Sequence, residues 1–169
     1  MGELFLSGGG NEQQTLLIDK RFAESINHEQ PLLYIPIAMD GQTISYESCF
    51  EWINRVFNPL GIHNITMWTD INKKCLADLQ LFSAVYIGGG NTFRLLNDLV
   101  HSGFIKVLKQ YVKSGGIIYG GSAGAIIFGH NIETSSYMDA NNVGLREFAG
   151  LNLVKGYQYG VTITRKMTF

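Results

Sequence analysis

Three apolar runs in this chain stop at glycine, and that pattern restricts the fold more than any other feature. Leu4-Phe5-Leu6 stops at Ser7-Gly8-Gly9-Gly10, Ala84 to Ile87 at Gly88-Gly89-Gly90, and Gly116 to Tyr119 at Gly120-Gly121. Two further runs, Leu32 to Ala38 and Asn64 to Trp68, also read as buried strands. Segments with helical spacing lie between them. One carries Leu16, Leu17, Phe22, Ala23 and Ile26; another carries Tyr46, Phe50, Ile53, Phe57 and Leu60. A short one spans Asn72 to Leu79, and two more carry Phe93, Leu96 and Leu99, then Phe104, Val107, Leu108 and Tyr111. Strands alternating with helices predict an open, doubly wound, mostly parallel α/β sheet with helices on both faces. In such sheets ligands bind beyond the carboxyl ends of the strands, where all three glycine clusters fall.

The third cluster carries chemistry. Gly120-Gly121-Ser122-Ala123-Gly124 joins a strand to a helix-like run from Ala123 to Phe128, with a hydroxyl at the corner. Small residues on both sides of a serine allow the strained turn of a nucleophile elbow. An acyl-transfer site also needs oxyanion donors. The backbone N–H of Ala123 is one candidate, and Gly90, on a neighbouring strand end, is a second because glycine permits close backbone approach. The first cluster reads foremost as a tight βα turn. Neither Gly8-x-Gly10 nor Gly88-x-Gly90 continues into a dinucleotide fingerprint, since Gln13 and Phe93 stand where its third glycine belongs.

The 169 residues suit one domain, taken as 1–169, and 46% hydrophobic with 16% charged residues is globular composition. A net charge of −1 offers nucleic acid no electrostatic footing. No apolar run approaches membrane-spanning length and no signal peptide is evident. Cys49 and Cys75 are far apart, lack metal-ligand spacing, and read as buried free thiols in a reducing compartment. The expectation is a cytoplasmic protein without cofactor or metal, monomeric or homodimeric.

The pair of blocks Gly88-Gly89-Gly90-Asn91-Thr92-Phe93 and Tyr119-Gly120-Gly121-Ser122-Ala123-Gly124-Ala125 resembles the aspartyl dipeptidase (peptidase E) family, which includes cyanophycinase-like serine hydrolases. The blocks lie 31 positions apart, from Asn91 to Ser122. The resemblance runs from Leu4 to about Gly156. It implies a flavodoxin-like fold related to class I glutamine amidotransferases, and metal-free peptide hydrolysis by a serine, a histidine and an acid. It assigns Ser122 as nucleophile, Gly90 and Ala123 as oxyanion hole, and Asn91 to the substrate-binding wall. An amidotransferase proper would carry cysteine at position 122. For the acid the resemblance favours Asp139, with Glu133 second. The aspartyl preference of the best-known members depends on a basic side chain just beyond the elbow helix; here His130-Asn131-Ile132-Glu133 holds no arginine.

The base is harder to place. Of the four histidines, His28, His63 and His101 are predicted at the amino edge of the sheet, away from Ser122. His130 lies eight residues beyond Ser122, about 12 Å along a continuous helix. The resemblance implies a histidine on a later strand, here Tyr157 to Ile163, which contains none. Codons for Gln158 through Thr164, read out of frame, can give Val-Trp-Cys-His-Tyr. The expectation is therefore a frameshifted or truncated product, incomplete at its C-terminus. Two functions remain open: a serine peptidase forming an acyl-enzyme on Ser122, or an inactive relative that binds small peptides or carboxylates. A nucleotide-binding domain using the glycine turns ranks third.

Overall fold

The computed structural model describes residues 2–154. Five strands, β1 (Leu4–Ser7), β2 (Leu32–Ile35), β3 (Ile65–Met67), β4 (Ala84–Ile87) and β5 (Ile118–Gly121), form a parallel sheet in the order β1-β5-β4-β2-β3. Six α-helices connect or follow them among the described residues: α1 (Glu12–Ser25), α2 (Tyr46–Phe57), α3 (Leu76–Leu79), α4 (Thr92–His101), α5 (Phe104–Lys113) and α6 (Ala123–Ile126). The expected doubly wound α/β sheet is present. Its register pairs Ser7 with Gly121 and Ile87 with Gly120, so all three glycine-rich ends finish level on one edge.

Alternation along each strand sorts the core into two layers. Leu32, Tyr34, Ala84, Tyr86 and Tyr119 face α1 and α2, against Phe22, Ile53 and Phe57. Leu33, Ile35, Val85, Ile87 and Ile118 face the opposite way, against Leu95, Leu96 and Leu99 of α4, Leu108 of α5 and Ile126 of α6. Three of the helix starts carry a side-chain cap that accepts from the first-turn N–H groups. Asn11 caps α1 and receives Gln14 in a reciprocal capping box, Ser45 caps α2, and Asn91 caps α4. The chain leaves β2 towards β3 and β4 towards β5, in opposite directions, so a crevice opens between the ends of β2 and β4.

Four local expectations change. β2 stops at Ile35, not Ala38, because Pro36 has no N–H to continue the ladder. The stretch from Asn72 is helical only over Leu76–Leu79. Cys49 is buried, but Cys75 is exposed, since it starts the short α3 on a surface loop and its N–H is taken by Asp78 at 2.8 Å. The elbow helix ends at Ile126 instead of Phe128. The carbonyls of Ile127, Phe128, Gly129 and His130 turn away to accept N–H groups of Leu151, Leu153, Asn152 and Gly150 at 2.7–3.0 Å. The helix therefore never carries His130 along its axis.

Candidate active site

Ser122 stands where β5 hands over to α6, with φ 52° and ψ −113°. A non-glycine residue there stores backbone strain, which the surrounding packing must hold. Three bonds fix the corner: Ser122 N–H donates to the Ser7 carbonyl at 2.9 Å, and its own carbonyl accepts from Ala125 and Ile126 at 2.8 and 3.1 Å. Gly124 lets the short helix sit down on the sheet, because a Cβ there would come within 2.2 Å of the Ile87 carbonyl oxygen. The strand-to-helix corner expected at Ser122 is the local backbone geometry found.

The other two glycine loops pass on either side of this serine. A Cβ placed on Gly9 or Gly89 would stand 3.3 or 3.0 Å from Ser122 Cβ. Gly90 follows with φ +139°, and a side chain there would collide with the Ala38 carbonyl at 2.5 Å. Among the described residues, the N–H groups of Gly90 and Ala123 donate to no protein acceptor. They are thus available for an oxyanion, while the N–H of Asn91 is spent on the Ala38 carbonyl at 2.9 Å.

A groove of about 860 Å³ opens beside Ser122 and Gly90. Its floor is Ser7, Tyr86 and Gly121, and its far wall is Ser48, Cys49 and Trp52 of α2. A smaller hollow of about 190 Å³ adjoins it beyond Gly90, in the crevice between β2 and β4, and contains Asn91, Arg94 and Asp40. Backbone and hydroxyl bonds from Thr43 hold the Asp40 carboxyl below its usual range, with the Arg94 charge adding to them.

Beneath the groove runs a buried polar chain that sequence reading missed. Gly9 N–H donates to Ser7 Oγ at 3.2 Å, burial raises the Tyr119 hydroxyl's pKa with the neighbouring Ser7 hydroxyl opposing the rise, and Tyr119 donates to Asp19 Oδ1 at 2.7 Å. Asp19 is only 2% exposed. Burial pushes its carboxyl up, opposed by hydrogen bonds from Thr15 and Tyr119. Burial likewise raises Tyr34 and Cys49, which are neighbours in the groove wall. The available signal was spacing, because Thr15, Asp19, Phe22 and Ala23 form the buried stripe of α1.

The remaining candidates are placed as follows. Asn91 caps Arg94 N–H at 2.9 Å and donates to the Ala140 carbonyl at 2.8 Å. Asp139 Oδ2 accepts the Thr92 N–H at 2.8 Å. Both residues thus tie the 133–140 segment to the start of α4, next to Gly90, and neither lines the groove. Glu133 is exposed. No histidine of the described residues lines the groove: His28 bonds the Ala23 carbonyl at 2.7 Å, His101 bonds that of Asn97 at 2.8 Å, and His63 and His130 are exposed. The strand expected over Tyr157 to Ile163 lies outside the described residues. Among the described residues no group of three or more His, Cys, Asp or Glu could hold a metal, and no helix is long and apolar enough to cross a membrane.

Fold and site together define a class: a flavodoxin-like, class I glutamine amidotransferase-like α/β protein with a strained serine at the crossing from strand to helix. The chain belongs to peptidase family S51, whose family model matches residues 4–160. It is 41% identical over 164 residues to an uncharacterized peptidase of Pasteurella multocida strain Pm70, an alignment covering 93% of this chain and 75% of that protein. It is 31% identical over 116 residues to peptidase E of Salmonella heidelberg strain SL476, covering 69% of this chain and 49% of the relative. A crystal structure from Listeria monocytogenes EGD-e, provisionally assigned as a peptidase E, superposes with a TM-score of 0.74 at 27% identity, covering 92% of this chain and 76% of that one. The family expected from the paired glycine blocks is therefore the family found.

Proposed function

We propose that this chain is a serine-type peptidase acting on small peptides through an acyl-enzyme on Ser122. The observation carrying the reading is the elbow itself: a strained, half-buried serine flanked by two glycine loops and by the unpaired N–H groups of Gly90 and Ala123. Ser122 Oγ attacks the peptide carbonyl carbon, and its proton passes to a general base. The carbonyl oxygen takes the electron pair and is held by the two N–H groups. As the carbonyl re-forms, the C–N bond breaks and the amine leaves with that proton. Water then repeats the attack on the ester, releasing the acid and restoring Ser122. Asn91 positions Gly90 in this scheme. Asp139 is the acid, held by Thr92 beside the same loop.

A specific observation favours a second reading. None of the four histidines stands in the groove, so a chain lacking any base would bind small peptides or carboxylates without cleaving them. Labelling with a fluorophosphonate probe and a dipeptide-release assay, each beside Ser122→Ala, separate the two. The peptidase reading expects labelling and release, with release falling at least about 10³-fold in the variant. Absence of both in a folded protein would remove the peptidase reading, and saturable peptide binding by that protein would then support the binding-only one. Release that survives in Ser122→Ala would remove Ser122 as nucleophile.

A further inference from the structure

We infer that the groove beside Ser122 receives an uncharged apolar or aromatic side chain of the bound peptide, not an acidic one. The inference rests on the reading of Ser122 as the site of peptide binding. Its support is the chemistry of the walls. Met39, Ile44 and Trp52 supply the open apolar surfaces, with the buried Tyr34, Cys49 and Tyr86 lining the groove behind them. Among the described residues, none of the groove's lining residues is Asp, Glu, Lys, Arg or His.

Each wall has an independent reason to be there. Cys49 and Trp52 lie on the inner face of α2, and Trp52 meets Tyr86 edge to face at 6.1 Å. Tyr34 and Tyr86 meet at 5.6 Å. These contacts hold the aromatic surfaces in place before any ligand arrives, so a side chain entering the groove orders little. A carboxylate entering it would give up hydration and meet no cation among the described lining residues, the costly case for a charge. A phenyl or isobutyl group would instead remove its own apolar surface and that of the walls from water. Arg94 lies in the neighbouring hollow, with Asp40 as a lining residue of the same hollow. It lines no part of the groove.

The test measures binding to the full chain carrying Ser122→Ala, so that turnover does not distort it. The probes are Phe-Gly, Leu-Gly, Asp-Gly and Lys-Gly with their reversed counterparts, followed by calorimetry and ligand-observed NMR. The Phe and Leu peptides are expected to bind about ten- to a hundredfold more tightly than the Asp and Lys peptides. Trp52→Ala should erase most of that preference. Should Trp52→Ala fail to fold, Ser48→Arg carries the test: Ser48 is exposed on the groove wall, and a cation there should narrow the preference towards Asp-Gly. Equal or tighter binding of the Asp peptides before any groove substitution, lost on Arg94→Gln, would overturn the inference. So would absence of binding by every peptide. A Phe preference without fluorophosphonate labelling leaves this inference standing and removes the peptidase reading. Ser122-dependent release with an Asp preference does the opposite.

Discussion

The two faces of the sheet are built from different chemistry. On the α4, α5 and α6 side the strands present aliphatic side chains, Leu33, Ile35, Val85 and Ile87 meeting Leu95, Leu96, Leu99 and Leu108, and the aromatic residues of that layer, Phe93, Phe104, Tyr111 and Phe128, come from outside the strands. On the α1 and α2 side it is aromatic. Tyr86 and Tyr119 stack at 4.5 Å with their planes 14° apart, and Phe22 and Phe57 meet them edge to face. Aliphatic side chains ask only for volume and shape. Tyrosines also bring hydroxyls that must be partnered when buried, and Tyr119 obtains Asp19, with the Ser7 hydroxyl as a neighbour. That partnering reaches the Gly8–Gly10 loop, and the groove opens on the same face. The aliphatic face anchors the elbow from behind, while the aromatic face shapes what Ser122 can meet.

The contrast can be broken from either side. Leu96 is fully buried in the aliphatic layer, and Leu96→Ala should cost about 2–5 kcal/mol in denaturant unfolding. Peptide binding by the folded fraction should be unchanged; a loss of affinity would mean that the aliphatic layer also shapes the groove. Tyr119→Phe removes one hydroxyl from the aromatic face and leaves Asp19 with fewer donors. It should cost less, about 1–2 kcal/mol. Unlike Leu96→Ala, it should also weaken peptide binding, through the loosened link from Ser7 to Gly9. Unchanged affinity in Tyr119→Phe would confine the hydroxyl chain to a stability role.

The sheet and the elbow were legible because both are local. Apolar runs ending in glycine mark parallel strands, and a serine between small residues marks a corner, whatever lies elsewhere in the chain. The aromatic face was not legible in the same way. The Tyr119–Asp19 bond joins residues 100 positions apart, and Asp19 reads as an ordinary helical carboxylate unless its place on the Thr15–Ala23 stripe is noticed. Asp139 meets Thr92 across 47 positions, so its helix-capping contact was equally invisible. His130 was misplaced for a related reason. Its distance from Ser122 was read along a helix, but that helix ends early because residues 150–153 take its carbonyls. Local pattern identifies elements, and tertiary hydrogen bonds decide where they stop and what they bury.

Asp19 offers the finest test of the aromatic face, with the smallest expected effect. Burial raises its folded value above the ordinary 3.8, hydrogen bonds from Thr15 and Tyr119 offsetting only part of the rise. For a carboxyl whose folded value is raised, the unfolded chain loses its proton first. Folding stability is then fully present below the ordinary value and declines as pH rises through the folded value. Asp19→Asn cannot titrate there, yet its side-chain oxygen still accepts from Tyr119. The stability of the unsubstituted protein relative to Asp19→Asn should therefore fall as pH rises from 3.8 towards neutrality. Paired denaturant titrations across that window read the difference directly, with other titrating groups cancelling between the two proteins. A flat difference would mean that Tyr119 and Thr15 fully offset the burial, and a rising one that Asp19 is held as a charged acceptor.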